Sequence, residues 1–231
     1  KQRPTLKVVV IDPRQTATCE IADIHLPLKS GSDDWLFSGL LAYLARMDSI
    51  DYEYLEASTD GFGATLKKAK ATTPTIMDAA RECGLKENDV ANFYDLYRKT
   101  SKTVTVYSQG INQSSSGTDK VNAIINCHLA TGRIGQPGMG PFSLTGQPNA
   151  MGGREVGGLA NQLAAHMDFS AEDIDRVQRF WQAPNIVDKP GLKAVDLFDS
   201  VASGKIRAIW IMGTNPAVSM PDARKIHEAL S

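Results

Sequence analysis

Three apolar strands predicted from this sequence end in short turns that carry polar side chains and glycine. The turns are Asp12-Pro13-Arg14, Gln109-Gly110-Ile111-Asn112-Gln113 and Gly213-Thr214-Asn215-Pro216. Amide side chains match the mixed donors and acceptors of a heteroaromatic ring, and a carboxylate such as Asp12 or Asp33 can accept from the N–H edge of guanine. Helix N-termini can hold a pyrophosphate. Together the turns favour a nucleotide ligand, whereas each turn alone is equally typical of an ordinary strand-to-helix connection.

The segment from residue 132 to residue 158 is dense in glycine, with nine of the 19 glycines of the chain. Glycine offers no side chain to pack and costs backbone entropy, so this density predicts backbone that turns sharply or approaches a ligand closely. Arg154 lies in this segment. Its guanidinium is permanently charged and presents a planar fork to oxyanions. We expect a ligand-facing loop in which Arg154 contacts a small anionic substrate. The alternative is that Arg154 pairs with a neighbouring acid or with a phosphate of a cofactor.

The elements that must position these residues alternate along the chain. β-branched and apolar runs predict strands over residues 6–11, 24–28, 103–107 and 206–212. Apolar spacing predicts helices over residues 35–47, 60–71, 75–84, 88–100, 118–131, 170–182 and 193–203. The alternation predicts an α/β fold with a mainly parallel sheet, whose ligands bind beyond the carboxyl ends of the strands. We expect a Rossmann-like lobe over residues 1–131 and part of a second α/β lobe over residues 132–231.

Composition and charge argue against several classes of protein. The net charge is −1, and no basic face indicates a nucleic-acid partner. No stretch approaches the roughly 18 consecutive apolar residues of a membrane span. Cys19, Cys83 and Cys127 form no C-x-x-C pair, so we expect neither a disulfide framework nor a metal site completed within this chain. Their spread suits a reducing compartment.

The usual nucleotide motifs are absent from the sequence. No G-x-G-x-x-G follows the first strand, no acidic residue lies at the expected offset, and there is no glycine-lysine phosphate loop. The pattern is therefore that of a dinucleotide-type architecture without the standard dinucleotide motif.

The sequence resembles the molybdopterin oxidoreductase superfamily in several runs that occur in order. They are Ile11-Asp12-Pro13-Arg14, Ile21-Ala22-Asp23, His25-Leu26-Pro27-Leu28, Gly31-Ser32-Asp33 and Gly110-Ile111-Asn112-Gln113. Residues 132–143 and 144–157 resemble the assimilatory-type nitrate reductase branch; the second block reads Leu-Thr-Gly-Gln-Pro-Asn-Ala-Met-Gly-Gly-Arg-Glu-Val-Gly. The resemblance runs from about residue 7 to about residue 222. It implies central domains like those of formate dehydrogenase and DMSO reductase.

The resemblance also implies a molybdenum held by two molybdopterin guanine dinucleotides. By motif position, one guanosine end would contact Ile11, Asp12, Pro13, Arg14, Gln15, Gly31, Ser32 and Asp33. Gln109 and Gln113 would lie close to the pterin and the metal, and Asn215 would contact the other cofactor. Arg154 would attract and orient nitrate, and Gln147 would support the same pocket. Gln109 stands where the family often has Met, which leaves its metal-adjacent role open.

The resemblance implies a parent enzyme that reduces nitrate to nitrite by oxygen-atom transfer in the cytoplasm, with an electron-donor protein or domain. In the family the [4Fe-4S] cysteines and the molybdenum ligand lie upstream. The chain opens without Met and stops within a predicted helix near residues 226–230, so we expect both ends to be cuts. Because part of the site is missing, we expect the chain alone to be inactive and free of cofactor. One alternative is another molybdenum enzyme such as formate dehydrogenase, which commonly has Arg-Gly-Gln where this chain has Thr145-Gly146-Gln147. The other alternative is a structural homologue without the metal.

Overall fold

The computed structural model describes residues 3–146 and 149–231, and the chain divides into two compact units after Gly146. The first unit holds two strand pairs and most of the large helices. Its elements are β1 (Val9–Ile11), β2 (Ile24–Leu26), α1 (Asp33–Arg46), α2 (Tyr52–Ser58), α3 (Phe62–Thr72), α4 (Ile76–Cys83), α5 (Glu87–Lys99), β3 (Val104–Tyr107), α6 (Gln109–Asn112), α7 (Gly117–Ala130) and β4 (Gly140–Ser143). A short 3-10 helix, Ala17–Ile21, connects β1 to β2.

Both strand pairs are parallel, and the α/β fold class is confirmed. β1 pairs with β2 from Val9↔Ile24 to Ile11↔Leu26. β3 pairs with β4 from Val104↔Gly140 to Tyr107↔Ser143. The pairs form two separate two-stranded sheets in the described residues, rather than one continuous sheet. Parallel pairing places the carboxyl ends of both strands of a pair at the same edge, which is where the predicted ligand-binding turns leave the sheet.

Helix α1 forms the centre of the first unit. It packs against α3, α4, α5 and α7. Every residue from Leu36 to Leu44 is buried except Ser38, and Leu36, Leu40 and Leu44 have no exposed surface. A helix that is apolar on all sides must be surrounded by other elements, and the packing of four helices around α1 meets that requirement. The core therefore holds rigidly the N-terminal end of α1, where Ser32 and Asp33 lie.

The second unit contains only helices among its described residues. They are α8 (Ala150–Glu155), α9 (Ala171–Trp181), α10 (Ala194–Ala202), α11 (Pro216–Ser219) and α12 (Ala223–Leu230), with a 3-10 turn at Ala164–His166. Lys225 on α12 forms an ion pair with Asp199 on α10, with an N–O distance of 2.7 Å. Phe198 and Ile226 are buried in this unit.

The predicted strand over residues 206–212 is wrong, and the predicted glycine-rich loop contains regular structure. Residues 206–212 do not form a strand: they have no strand partner in the part of the chain that the structure describes, and Trp210 is 82% exposed. An apolar run becomes a strand only where a neighbouring strand satisfies its backbone groups. The glycine-rich segment is not only a loop, since β4 and α8 lie within it. β4 pairs with β3 in the first compact unit, which extends to Gly146, and the division into lobes at residue 131 stays a prediction.

Candidate functional site

The turn after β1 is fixed by hydrogen bonds on both sides. The backbone N–H of Asp12 donates to the Leu26 carbonyl at 3.3 Å, which extends the pairing of the two strands past Ile11. His25 Nε2 donates to the Asp12 carbonyl at 2.9 Å. The Asp12 carboxylate accepts from the backbone N–H of Arg14 at 2.7 Å, an Asx turn that holds the chain in shape. Beyond half-buried Asp12, the side chains of Pro13, Arg14 and Gln15 are exposed and accessible to a ligand.

The turn before α1 leaves space for a ligand. Gly31 has a φ of +92°, in the region that favours glycine, and a Cβ at this position would meet no atom within 4 Å. The hydroxyl of buried Ser32 donates to the Lys29 carbonyl at 2.7 Å, and the backbone carbonyl of Ser32 accepts from the Cys83 thiol at 3.4 Å. The hydroxyl proton of Ser32 is therefore used in holding the turn. Asp33 begins α1, where a negative charge interacts favourably with the helix dipole.

A buried ion pair joins the beginnings of α1 and α7. Lys120 Nζ lies 3.1 Å from Asp33 Oδ2, and the two side chains are 3% and 14% exposed. Farther along the same two helices, the Cys127 thiol donates to the Phe37 carbonyl at 3.2 Å. The helices therefore run side by side in the same direction. Because α1 follows β2 and α7 follows β3, this arrangement brings the turns after both sheets to one side of the first unit.

The turn after β3 carries the predicted pterin contacts. Gln109 and Gln113 lie at either end of the short helix α6, and both side chains are exposed. α7 begins close behind them: a Cβ on Gly117 would lie 2.5 Å from the Asn112 carbonyl oxygen, so only glycine fits there. Residues 144–146 leave the same edge, since the Leu144 N–H donates to the Tyr107 carbonyl at 2.8 Å. Gln147, the second predicted substrate contact, lies outside the described residues.

Arg154 and Asn215 belong to the second unit. Arg154 is exposed on α8, and its carbonyl accepts from Gln162 Nε2 at 2.7 Å. The adjacent acid, Glu155, is paired with His166 at 2.7 Å, and the guanidinium of Arg154 makes no ion pair with the described residues. Asn215 begins α11, and its exposed side chain caps no backbone group there. Their roles stay predictions, as do those of the residues in the first unit.

A buried polar cluster, which sequence reasoning missed, lies at the carboxyl ends of α5 and α7. Arg133 donates from Nη2 to the carbonyls of Tyr97 and Thr100, each at 2.8 Å, and its guanidinium carbon lies 4.1 Å from the centre of the Tyr97 ring. His128, with no exposed surface, hydrogen-bonds through Nε2 to Thr105 Oγ1 at 2.7 Å. Burial, and the charge of Arg133, lower the pKa of His128 to about 4. The cluster joins α5, α7 and β3, and no local sequence pattern predicts it.

The three cysteines are free thiols, and two are buried. Burial raises the pKa of the Cys83 thiol to about 11 and raises that of Cys127 further. These thiols are therefore unreactive and serve as small core residues. No group of three or more potential metal-ligating side chains occurs in residues 3–146 and 149–231. No helix within those ranges is long and apolar enough to cross a membrane.

Comparison with known proteins finds similarity along the whole chain. The family model described as "Molybdopterin oxidoreductase" matches residues 1–231. The chain is 52% identical over 225 residues to a nitrate reductase of Shewanella frigidimarina, covering 97% of this chain and 24% of that protein. It is 50% identical to a nitrate reductase of Klebsiella oxytoca, covering 100% of this chain and 26% of that protein. It is 30% identical to the alpha subunit of an F420-dependent formate dehydrogenase of Methanocaldococcus jannaschii, covering 97% of this chain and 32% of that protein.

Proposed function

Because this chain belongs to the molybdopterin oxidoreductase family, we propose that it is a central part of a molybdenum-dependent nitrate reductase. The chain spans about a quarter of the length of the two nitrate reductases that it matches. The activity therefore belongs to a larger protein, to which this segment contributes binding surfaces. The observation that carries the choice of nitrate is the identity of 50% and 52% to nitrate reductases, against 30% to the formate dehydrogenase subunit.

The residues of the first unit fit a pterin cofactor that carries a guanosine nucleotide. Open space beside Gly31 and Gly110 leaves room for a ligand, since a Cβ on either glycine would meet no atom within 4 Å. Exposed Gln109 and Gln113 offer donors and acceptors to a pterin ring. Asp33 offers a fixed carboxylate to the N–H edge of guanine, and the Asp12 turn offers a second binding segment. This donor set supports the proposed guanine dinucleotide form.

When bound, the molybdenum–pterin group supplies the redox chemistry that removes an oxygen atom from nitrate. The protein's part is to bind, orient and exclude competing ligands. Nitrate accepts hydrogen bonds weakly, so a permanently charged, planar guanidinium is a suitable contact for it. Arg154 fits this role because its guanidinium is exposed and makes no ion pair with the residues that the structure describes. From their positions in the family motifs, we assign Asn215 to the second cofactor and Gln147 to the nitrate pocket.

Location and partners complete the proposal. The free thiols of Cys19, Cys83 and Cys127 support a reducing compartment, and we propose the cytoplasm. We propose that a [4Fe-4S] cluster, with ligands outside this chain, passes electrons from a donor protein or domain to the molybdenum.

The experiment that tests the function compares two substrates. The full-length protein is purified and assayed for nitrate-dependent oxidation of reduced viologen and for formate-dependent reduction of oxidised viologen. We expect turnover with nitrate and none with formate. Turnover with formate alone would favour the formate dehydrogenase alternative, and molybdenum-free protein without either activity would favour the structural homologue.

A further inference from the structure

The ion pair between Lys120 and Asp33 has no role in the function described so far. Lysine is almost never fully buried unless it is paired, because removing an ammonium from water is costly. Lys120 is 2% exposed, and its ammonium lies 3.1 Å from the Asp33 carboxylate. The two residues belong to different helices, so their spacing in the sequence does not predict the pair.

We propose that Lys120 is a positioning residue that fixes the Asp33 carboxylate for recognition of guanine. The inference rests on the proposed function, in which Asp33 contacts the guanosine end of the cofactor. The two side chains differ in exposure: that of Asp33 is 14% exposed and that of Lys120 is 3% exposed. A ligand that approaches the pair would therefore reach the Asp33 side chain more easily than the Lys120 side chain.

The hydrogen-bonding capacity of the Asp33 carboxylate favours guanine over other bases. The Watson–Crick edge of guanine has two adjacent donors, the ring N1–H and the exocyclic amino group, and an ionised carboxylate is an acceptor only. Adenine presents an acceptor at N1, and hypoxanthine lacks the amino group. A carboxylate held in one orientation can accept from both guanine donors, whereas a freely rotating carboxylate would lose part of that preference.

The same pair connects two binding segments. Asp33 ends the turn that begins at Gly31, and Lys120 lies in the first turn of α7, directly after the segment that carries Gln109 and Gln113. Gly117 permits the close approach of α7 to the Asn112 carbonyl. The pair thus fixes the guanosine-contacting turn relative to the pterin-contacting turn within one rigid core.

The test measures nucleotide selectivity in the full-length protein produced without cofactor. Calorimetric titrations with GDP, inosine diphosphate and ADP are made on the wild type, Lys120→Met and Lys120→Arg. Lys99→Met is the matched control, because Lys99 forms an exposed ion pair with Asp95 at 2.6 Å. We expect the wild type and Lys99→Met to prefer GDP over inosine diphosphate by at least about tenfold, the discrimination that a bidentate contact to a base provides.

For Lys120→Met we expect that the preference for GDP over inosine diphosphate falls to about threefold or less, with Lys120→Arg recovering part of it. A purely structural role would lower the melting temperature and leave this ratio unchanged in the folded protein. An unchanged ratio in folded Lys120→Met overturns the proposal for Lys120. If Lys120→Met does not fold, Lys120→Gln replaces it, and a retained ratio there has the same meaning. A wild type without preference for GDP instead contradicts the guanosine site of the proposed function.

Discussion

Replacing Arg133 with Met should destabilise the first unit strongly, although Arg133 lies outside the proposed cofactor contacts. The substitution keeps much of the apolar stem and removes two hydrogen bonds of 2.8 Å to the carbonyls of Tyr97 and Thr100. Hydrogen bonds from a charged donor contribute about 1.5–3 kcal/mol each. The stacking of the guanidinium on Tyr97, at 4.1 Å, contributes about 1–2 kcal/mol when desolvated.

One feature of Arg133 reduces this loss. Its Nη1 atom is buried without a hydrogen-bond partner among the described residues, and burial of such a donor costs about 1–3 kcal/mol. Methionine removes that cost. The net expectation for Arg133→Met is a loss of about 3 kcal/mol in the free energy of unfolding of the first unit.

Native-state hydrogen exchange of the α5 and α7 amides in the full-length protein measures this loss locally, without requiring two-state unfolding of the whole chain. Arg98→Met is the control, because Arg98 is partly exposed and pairs with Asp95 on its own helix, an interaction worth about 0.5 kcal/mol. A change below about 1 kcal/mol in Arg133→Met, or one equal to that of the control, would show that the Arg133 contacts do not stabilise the first unit.

Three further predictions concern activity, pH and packing. Arg154→Ala in the full-length enzyme should lower kcat/KM for nitrate, with a rise of about 2–4 kcal/mol in the activation barrier and unchanged molybdenum content. Loss of molybdenum would instead assign Arg154 to the cofactor contacts. The pKa of buried His128 falls from 6.5 to about 4, so the unfolded state gains a proton first as pH falls. The free energy of unfolding should have its full value above about pH 6.5 and decrease towards pH 4. In His128→Asn, the free energy measured by hydrogen exchange should depend less on pH. Leu40→Ala should cost about 2–5 kcal/mol in chemical denaturation, because Leu40 has no exposed surface. Met77→Ala, at a side chain that is 58% exposed, should cost less than about 1 kcal/mol.

The sequence predicts the longer helices close to their observed bounds because their ends carry local signals, and it misses short helices such as α2 and α8. Thr75 caps α4 by accepting from the Asp78 N–H, and Ser170 caps α9 by accepting from the Asp173 N–H. Gly84 ends α4 in the left-handed region at φ +67°. Such signals depend on residues three or four positions apart and are visible in the sequence.

Strand pairing and the buried polar contacts could not be predicted in the same way, because their partners are distant in the chain. β4 begins with Gly140 and Pro141, which are poor strand formers, yet it pairs with β3. Residues 206–212 have strong strand propensity and no described strand partner. No local sequence pattern marks Lys120 or Arg133 as buried, and only the packing of α1, α5 and α7 gives them buried partners.

The location of the cofactor in the full-length protein decides whether the turns of the first unit form its binding site. An experimentally determined structure of the molybdenum-loaded protein should show a guanosine within hydrogen-bond distance of the Asp33 carboxylate and beside the Asp12 turn. It should also place a pterin next to Gln109 and Gln113. A cofactor bound elsewhere, with Asp33 and both glutamines in contact only with solvent or protein, would show that these turns are not the cofactor site.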